Sequence, residues 1–464
     1  MKASPNSGPA AGAEGREPSL YRAVWRWHFY AGLVVLPFLL WLAVTGGLYL
    51  YKPEIEGLVY ARWSSVAPAD STVPLDRLIG AVERQGRARV IQIMRPADPT
   101  VSWRMTLSEA DGTRRTAFVD PYRAALLGTT RNGGIMQTVR DLHSLIITGP
   151  VGNAAIEIVA GWAVLLVLTG LYLWWPRRGS PAIGMRGRPS GRVFWRDLHA
   201  SIGILAAAVI LFLAVTGMPW TGIAGARLQS WIAAQGLGRP HAPGPAPWES
   251  GKGHDHGARQ TLPWSLQAAP RPAGHGMGDI GAARIADAAA ARGLAPPWIM
   301  TVPASPQAPY LVSRTIVRAE DARALYLDAA SGAVLQDARY AGFGAGARVI
   351  EWGIAAHQGQ EYGEPNRLVM LAGCLAIIAL TLTAPLLWWK RRRNGRFSAP
   401  PRADARSARG AAMVMVVIGA LFPLTGLTIL AAIAIDLLFI RAQSAGAPPG
   451  AGVTRSRSGI ELRR

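Results

Sequence analysis

From Trp27 to Tyr51 the chain reads WHFYAGLVVLPFLLWLAVTGGLYLY, a histidine followed by 23 residues without a charge. At about 1.5 Å per residue such a run crosses a hydrocarbon core of roughly 30 Å. Comparable apolar runs recur, and they divide the chain into a cytoplasmic segment (1–26), span 1 (27–52), a polar outer segment (53–137), a histidine segment leading into span 2 (138–176) and a basic loop (177–197). Span 3 (198–222), a second outer segment (223–350), a second histidine segment with span 4 (351–390), a basic loop (391–409), a fifth apolar run (410–440) and a tail (441–464) complete it.

The polar segments carry a different pattern. Leu75 to Glu83 has helical spacing, whereas Arg89–Met94, Val101–Leu107 and Thr116–Asp120 alternate like strands. The second outer segment repeats this: a helix over Asp279–Arg292, then strands at Trp298–Val302, Tyr310–Ile316 and Leu325–Asp328. Between residues 238 and 278 lies an insert rich in Pro, Gly and His, read as a flexible loop. The fold class expected is a polytopic α-helical membrane protein, four repeat-related spans plus a fifth, with two periplasmic α+β domains.

The repeat is legible at single residues. His28 aligns with His199, Gly32 with Gly203, and Leu42-Ala-Val-Thr-Gly46 with Leu213-Ala-Val-Thr-Gly217; each threonine follows its histidine by 17. In the second element of each half, Thr169 and Thr383 follow His143 and His357 by 26, and Trp174 and Trp388 follow them by 31. A continuous helix of 31 residues would be about 46 Å long. Each is therefore expected to bend, at Gly149-Pro150 and near Gly363 to Pro365.

The formal charge of +21 does not indicate nucleic acid, because the cations border the apolar runs. Arg16, Arg22 and Arg26 precede span 1, six arginines between Arg177 and Arg196 precede span 3, and Lys390 to Arg396 follow span 4. By the positive-inside rule these segments are cytoplasmic, and the two long segments lie outside. A fifth crossing, kinked at Pro423, would leave Arg455, Arg457, Arg463 and Arg464 outside, against that rule. The lone cysteine, Cys374, excludes an intrachain disulfide and a thiolate cluster.

Of the eight histidines, His28, His143, His199 and His357 hold repeat-equivalent places at span ends. Neutral imidazole is an axial ligand for haem iron, and two facing helices each offering one make a six-coordinate site. His28 and His199 would form one such pair towards the inner face, His143 and His357 the other towards the outer face. Gly32 and Gly203 would leave room for a porphyrin face, and Arg26, Arg196, Arg140 and Arg367 are candidate propionate partners; positive-inside charge and snorkelling account equally for those arginines. His254, His256 and His275 in the insert suit a divalent metal by type, though flanking Gly and Pro give no rigid frame. Glu157, Glu361 and Glu364 read as solvated carboxylates near the outer helix ends.

The His-x3-Gly spans ending Ala-Val-Thr-Gly, the Phe118-Val-Asp120-Pro121 and Tyr326-Leu-Asp328 hairpins and the Trp-Trp exits together resemble the PepSY-associated transmembrane helix family, over about residues 20–395. Within it the chain is similar to inner-membrane ferric-siderophore reductases of the ferrioxamine type. That resemblance implies two haem b groups on His28, His143, His199 and His357, and electrons passing to a ferric siderophore in the periplasm. The donor would be a quinol or a cytoplasmic reductant, since no dinucleotide-binding Gly-x-Gly-x-x-Gly follows a strand. A PepSY regulator anchored in the membrane and a transporter are the competing readings; the first gives no reason for paired histidines, and the second lacks intramembrane charges.

Overall fold

The computed structural model describes residues 19–175, 183–238, 263–267, 272–274, 278–305, 308–391 and 422–445, together with residues 415 and 419. His241, His254, His256 and His275 lie outside the described residues, as does the tail beyond 445.

Four helices are long and apolar enough to cross a membrane: span 1 (Ser19–Leu50), span 2 (Pro150–Trp174), span 3 (Arg192–Gly217) and span 4 (Glu364–Trp389). They pack as a ring in the order 1–2–3–4, each chiefly against its two sequence neighbours around the ring. Spans 1 and 3 therefore face each other across the diagonal, as do spans 2 and 4. At the end remote from the sheet, Phe29 meets Trp388 edge-on at 5.9 Å and Arg391 lies 4.3 Å from the Trp25 ring centroid, which joins the first span to the last.

The bends expected before spans 2 and 4 are present. Helix Gly134–His143 ends at His143, a 3-10 turn follows at Ile146–Thr148, and Gly149, at φ 83°, redirects the chain so that Pro150 opens span 2. In the second half, helix Ala345–His357 ends at His357, and Gly363, at φ 64°, precedes span 4, with Pro365 in its first turn. Proline suits that place because the first helical N–H groups have no intrahelical acceptor.

The two polar segments do not form two separate domains. β1 (Arg89–Arg95), β2 (Trp103–Ser108), β3 (Arg114–Asp120) and β4 (Ala125–Arg131) come from the first, and β5 (Trp298–Thr301), β6 (Tyr310–Arg314), β7 (Arg323–Leu327) and β8 (Val334–Arg339) from the second. They make one antiparallel sheet of eight strands, ordered β4-β3-β2-β1-β5-β6-β7-β8. The seam is β1 against β5, with Ile93 opposite Met300 and Met94 opposite Ile299. Each half alone would present β1 or β5 as an exposed edge of unpaired N–H and C=O groups; pairing the two edges removes both.

Alternation assigns the two faces of this sheet. Ile93, Met105, Leu107, Met300, Val312 and Leu325 point to one core, shared with Leu78 and Val82 of helix Leu75–Gly86 and with Ile285 of helix Ala282–Ala291. Each of these side chains is fully or almost fully buried. The opposite face looks towards the spans. There Phe118 packs under Tyr60 and Trp63, just beyond span 1, while Leu311 and Tyr326 pack with Ala347 of the helix that ends at His357. Gly128 permits this: a side chain there would collide with the Trp63 ring at 2.3 Å.

Candidate functional site

The four repeat-equivalent histidines come together as two pairs. His28 and His199 lie within electrostatic reach of each other near the far end of the bundle, and His143 and His357 do so at the sheet end. The first pair sits on the diagonal spans 1 and 3. The second is delivered from outside the ring, by the short helices that the Gly149 and Gly363 bends fold back over the bundle.

Each imidazole is held in the same way. Nδ1 of His28 is 2.9 Å from Thr169 Oγ1, Nδ1 of His199 is 2.8 Å from Thr383 Oγ1, Nδ1 of His143 is 2.9 Å from Thr45 Oγ1, and Nδ1 of His357 is 2.8 Å from Thr216 Oγ1. In every case the threonine stands on a different span from its histidine or on a span the histidine's helix overlies. The threonine hydroxyls donate their own protons to carbonyls one turn back: Thr45 to Trp41 at 2.7 Å, Thr169 to Leu165 at 2.7 Å, Thr216 to Phe212 at 2.6 Å and Thr383 to Leu380 at 3.1 Å. With that proton committed, Oγ1 acts as acceptor and the imidazole as Nδ1–H donor. The tautomer is thereby fixed, and Nε2 carries the free lone pair.

Space is provided beside the rings. A Cβ on Gly170 would come 3.3 Å from His28 Cε1, one on Gly46 would come 3.2 Å from His143 Cε1, and one on Gly217 would come 3.6 Å from His357 Cε1. Three of the four threonines are thus followed by a glycine against which the ring lies; the fourth is followed by Ala384. All four histidines are half-buried.

Among the described residues no group of three or more His, Cys, Asp or Glu converges on one point. Two neutral imidazoles with fixed tautomers suit an iron whose other four ligands come from a porphyrin. The donor set fits haem at both levels, and Gly170, Gly46 and Gly217 let the His28, His143 and His357 rings lie close to the neighbouring helix.

The remaining predicted residues are placed differently. Gly32 and Gly203 face Leu166 and Leu380 of the neighbouring spans, each at 3.9 Å from an added Cβ, an ordinary helix contact. Arg26 lies 5.5 Å from the Tyr30 ring centroid, and Arg196 pairs with Asp197 at 2.8 Å. Arg367 is engaged by Glu54 and Glu364 and covers the Tyr51 ring at 4.7 Å, so its charge is already matched. Arg140 stands one turn before His143.

Glu157 is not solvated. It is completely buried in span 2, and its Oε2 accepts the N–H groups of Ile223 and Ala224 at 3.1 Å, capping helix Ala224–Ala234. The threonines are the functional residues that sequence reasoning passed over; their fixed spacing from the histidines was visible, but not that they would meet them. Cys374 joins them unexpectedly, its Sγ being 3.8 Å from where a Cβ on Gly46 would stand.

A bundle of four membrane-length helices capped by one antiparallel sheet, with histidines ordered at two depths, defines a polytopic membrane protein with a substantial extramembrane domain. The family profile described as the PepSY-associated TM region matches residues 25–391, most of the chain, and the chain belongs to that family. No curated protein matches it.

Proposed function

We propose that the protein is a haem b electron-transfer protein of the bacterial inner membrane that carries electrons across the bilayer to ferric iron, held as a ferric siderophore, on the periplasmic side. The observation that carries this reading is the fourfold His–Thr arrangement, which leaves an Nε2 lone pair on every ring at two depths of one bundle. His28 and His199 would hold one haem and His143 and His357 the second. A b-type haem supplies a one-electron redox centre; the chain's own work is to fix tautomer, ring direction and depth. The cationic ends of spans 1, 3 and 4 support a reading in which the first pair lies towards the cytoplasm and the sheet in the periplasm. A quinol or a cytoplasmic reductant is the donor, and each electron delivered converts one ferric to one ferrous ion, a poorer match for hard oxygen ligands.

The test is the dithionite-reduced minus oxidised spectrum of the purified protein, with haem quantified per chain. Sharp b-type bands at two haems per chain, falling to one in His28→Ala or His199→Ala, support the relay. A colourless protein from haem-replete cells overturns it.

A further inference from the structure

We infer that the last apolar run does not cross the bilayer: it is a re-entrant helical hairpin, which returns the basic tail to the face where span 1 begins. The inference is independent of the haem reading. Gly419 and Gly426 are seven residues apart, which in a continuous helix separates them by about 10.5 Å along the axis. Instead, a Cβ on Gly419 would lie 2.6 Å from Gly426 Cα, and one on Gly426 would lie 2.5 Å from Gly419 O. The chain therefore reverses between them, at the point where Pro423 opens the final helix, Pro423–Ala445. Glycine on both arms is what allows backbones to approach so closely.

The second arm starts at mid-depth, since Thr425 in the first turn of helix Pro423–Ala445 lies against Gly161, near the middle of span 2 (Pro150–Trp174).

The hairpin is docked, not loose. Thr425 lies against Gly161 in the middle of span 2, where an added Cβ would be 2.1 Å from its Oγ1, and that hydroxyl donates to Ile158 O at 3.3 Å. Trp162 Nε1 donates to Thr428 Oγ1 at 2.9 Å. Met415 of the first arm and Ile429 of the second are both buried in one cluster with Ala31 and Val35 of span 1 and Val159 and Leu165 of span 2. The surface it fits is thus the seam between spans 1 and 2. A run folded back in this way would return the segment that carries Arg455, Arg457, Arg463 and Arg464 to the side of the other basic segments, as the positive-inside rule expects.

Three single-cysteine proteins in a Cys374→Ser background test this with a membrane-impermeant maleimide on spheroplasts: Ser456→Cys in the tail, Ser4→Cys at the N-terminus, and Ala110→Cys in the exposed β2–β3 turn. The tail and N-terminal cysteines are expected to label only after permeabilisation, and Ala110→Cys before it. A tail cysteine that labels like Ala110→Cys, with Ser4→Cys still protected, overturns the hairpin. The assay reads topology whether or not haem is bound.

Discussion

The hydroxyl of Thr169 in span 2 receives the Nδ1–H of His28 in span 1 at 2.9 Å while donating its own proton to Leu165 O. One side chain thus ties two helices together and decides which ring nitrogen stays free. Thr169→Val keeps the volume and removes the acceptor, leaving a buried N–H unpaired at a cost of about 1–3 kcal/mol. Outer-shell partners of metal-bound histidine typically contribute about 10–100-fold in affinity. The expected outcome is depleted haem at the His28 level with a shifted midpoint potential for what remains, and recovery in Thr169→Ser. Redox titration of the three proteins checks this; an unaltered potential and full haem in Thr169→Val would remove the positioning role.

At the sheet end the corresponding control is steric. Gly46 has His143 Cε1 3.2 Å from where its Cβ would stand, whereas at Gly47 the nearest atom is Cys374 Cβ at 3.8 Å. Gly46→Val should push the His143 ring off Thr45 and cost the outer haem alone, so haem per chain falls by half. Gly47→Ala, one residue away, should bind the full complement. Equal haem contents in the two variants would mean that the ring is not seated on Gly46 in the working protein.

How far the sequence carried can be judged at these same residues. The spans, the bends at Gly149 and Gly363 and the proximity of His28 to His199 were legible because a membrane helix must be about 20 apolar residues long and a duplicated residue repeats its spacing. The threonines repeat as regularly, but a hydroxyl meeting an imidazole on another helix depends on how the helices are rotated, which one-dimensional spacing does not encode. The β1–β5 seam was equally hidden: β1 and β5 are more than 200 residues apart, and either strand alone reads as the edge of a small domain. β4 and β8 were missed for a local reason, since Ala125–Arg131 and Val334–Arg339 are half-buried edge strands with weak alternation.

A pH dependence follows from Glu351, on the helix that ends at His357. Its carboxylate is buried, accepting Ser265 N at 2.7 Å and Ser265 Oγ at 2.8 Å, and burial pushes its pKa above the ordinary value despite those donors. A raised carboxyl pKa means that the folded state binds the proton more tightly than the unfolded one. The contribution is complete below the unfolded value and is lost as pH rises through the folded one. Thermal unfolding in detergent should show a falling midpoint across that window in the wild type and a flatter one in Glu351→Gln. Identical slopes in the two proteins would assign the dependence elsewhere.

The seam makes a prediction about cooperativity. Ile93 on β1 and Met300 on β5 are fully buried, directly paired, and part of one core that draws on both halves of the chain. Truncating either to alanine should cost about 2–5 kcal/mol, the usual range for a buried large-to-small change. Because the two side chains share one space, the double variant should lose less than the sum of the singles. More tellingly, Ile93→Ala, a change in the first half, should loosen the second. Amide exchange in β6 and β7 should rise together with that in β2 and β3. If protection fell only in β2 and β3, the two four-stranded halves would be independent units that merely touch at β1 and β5.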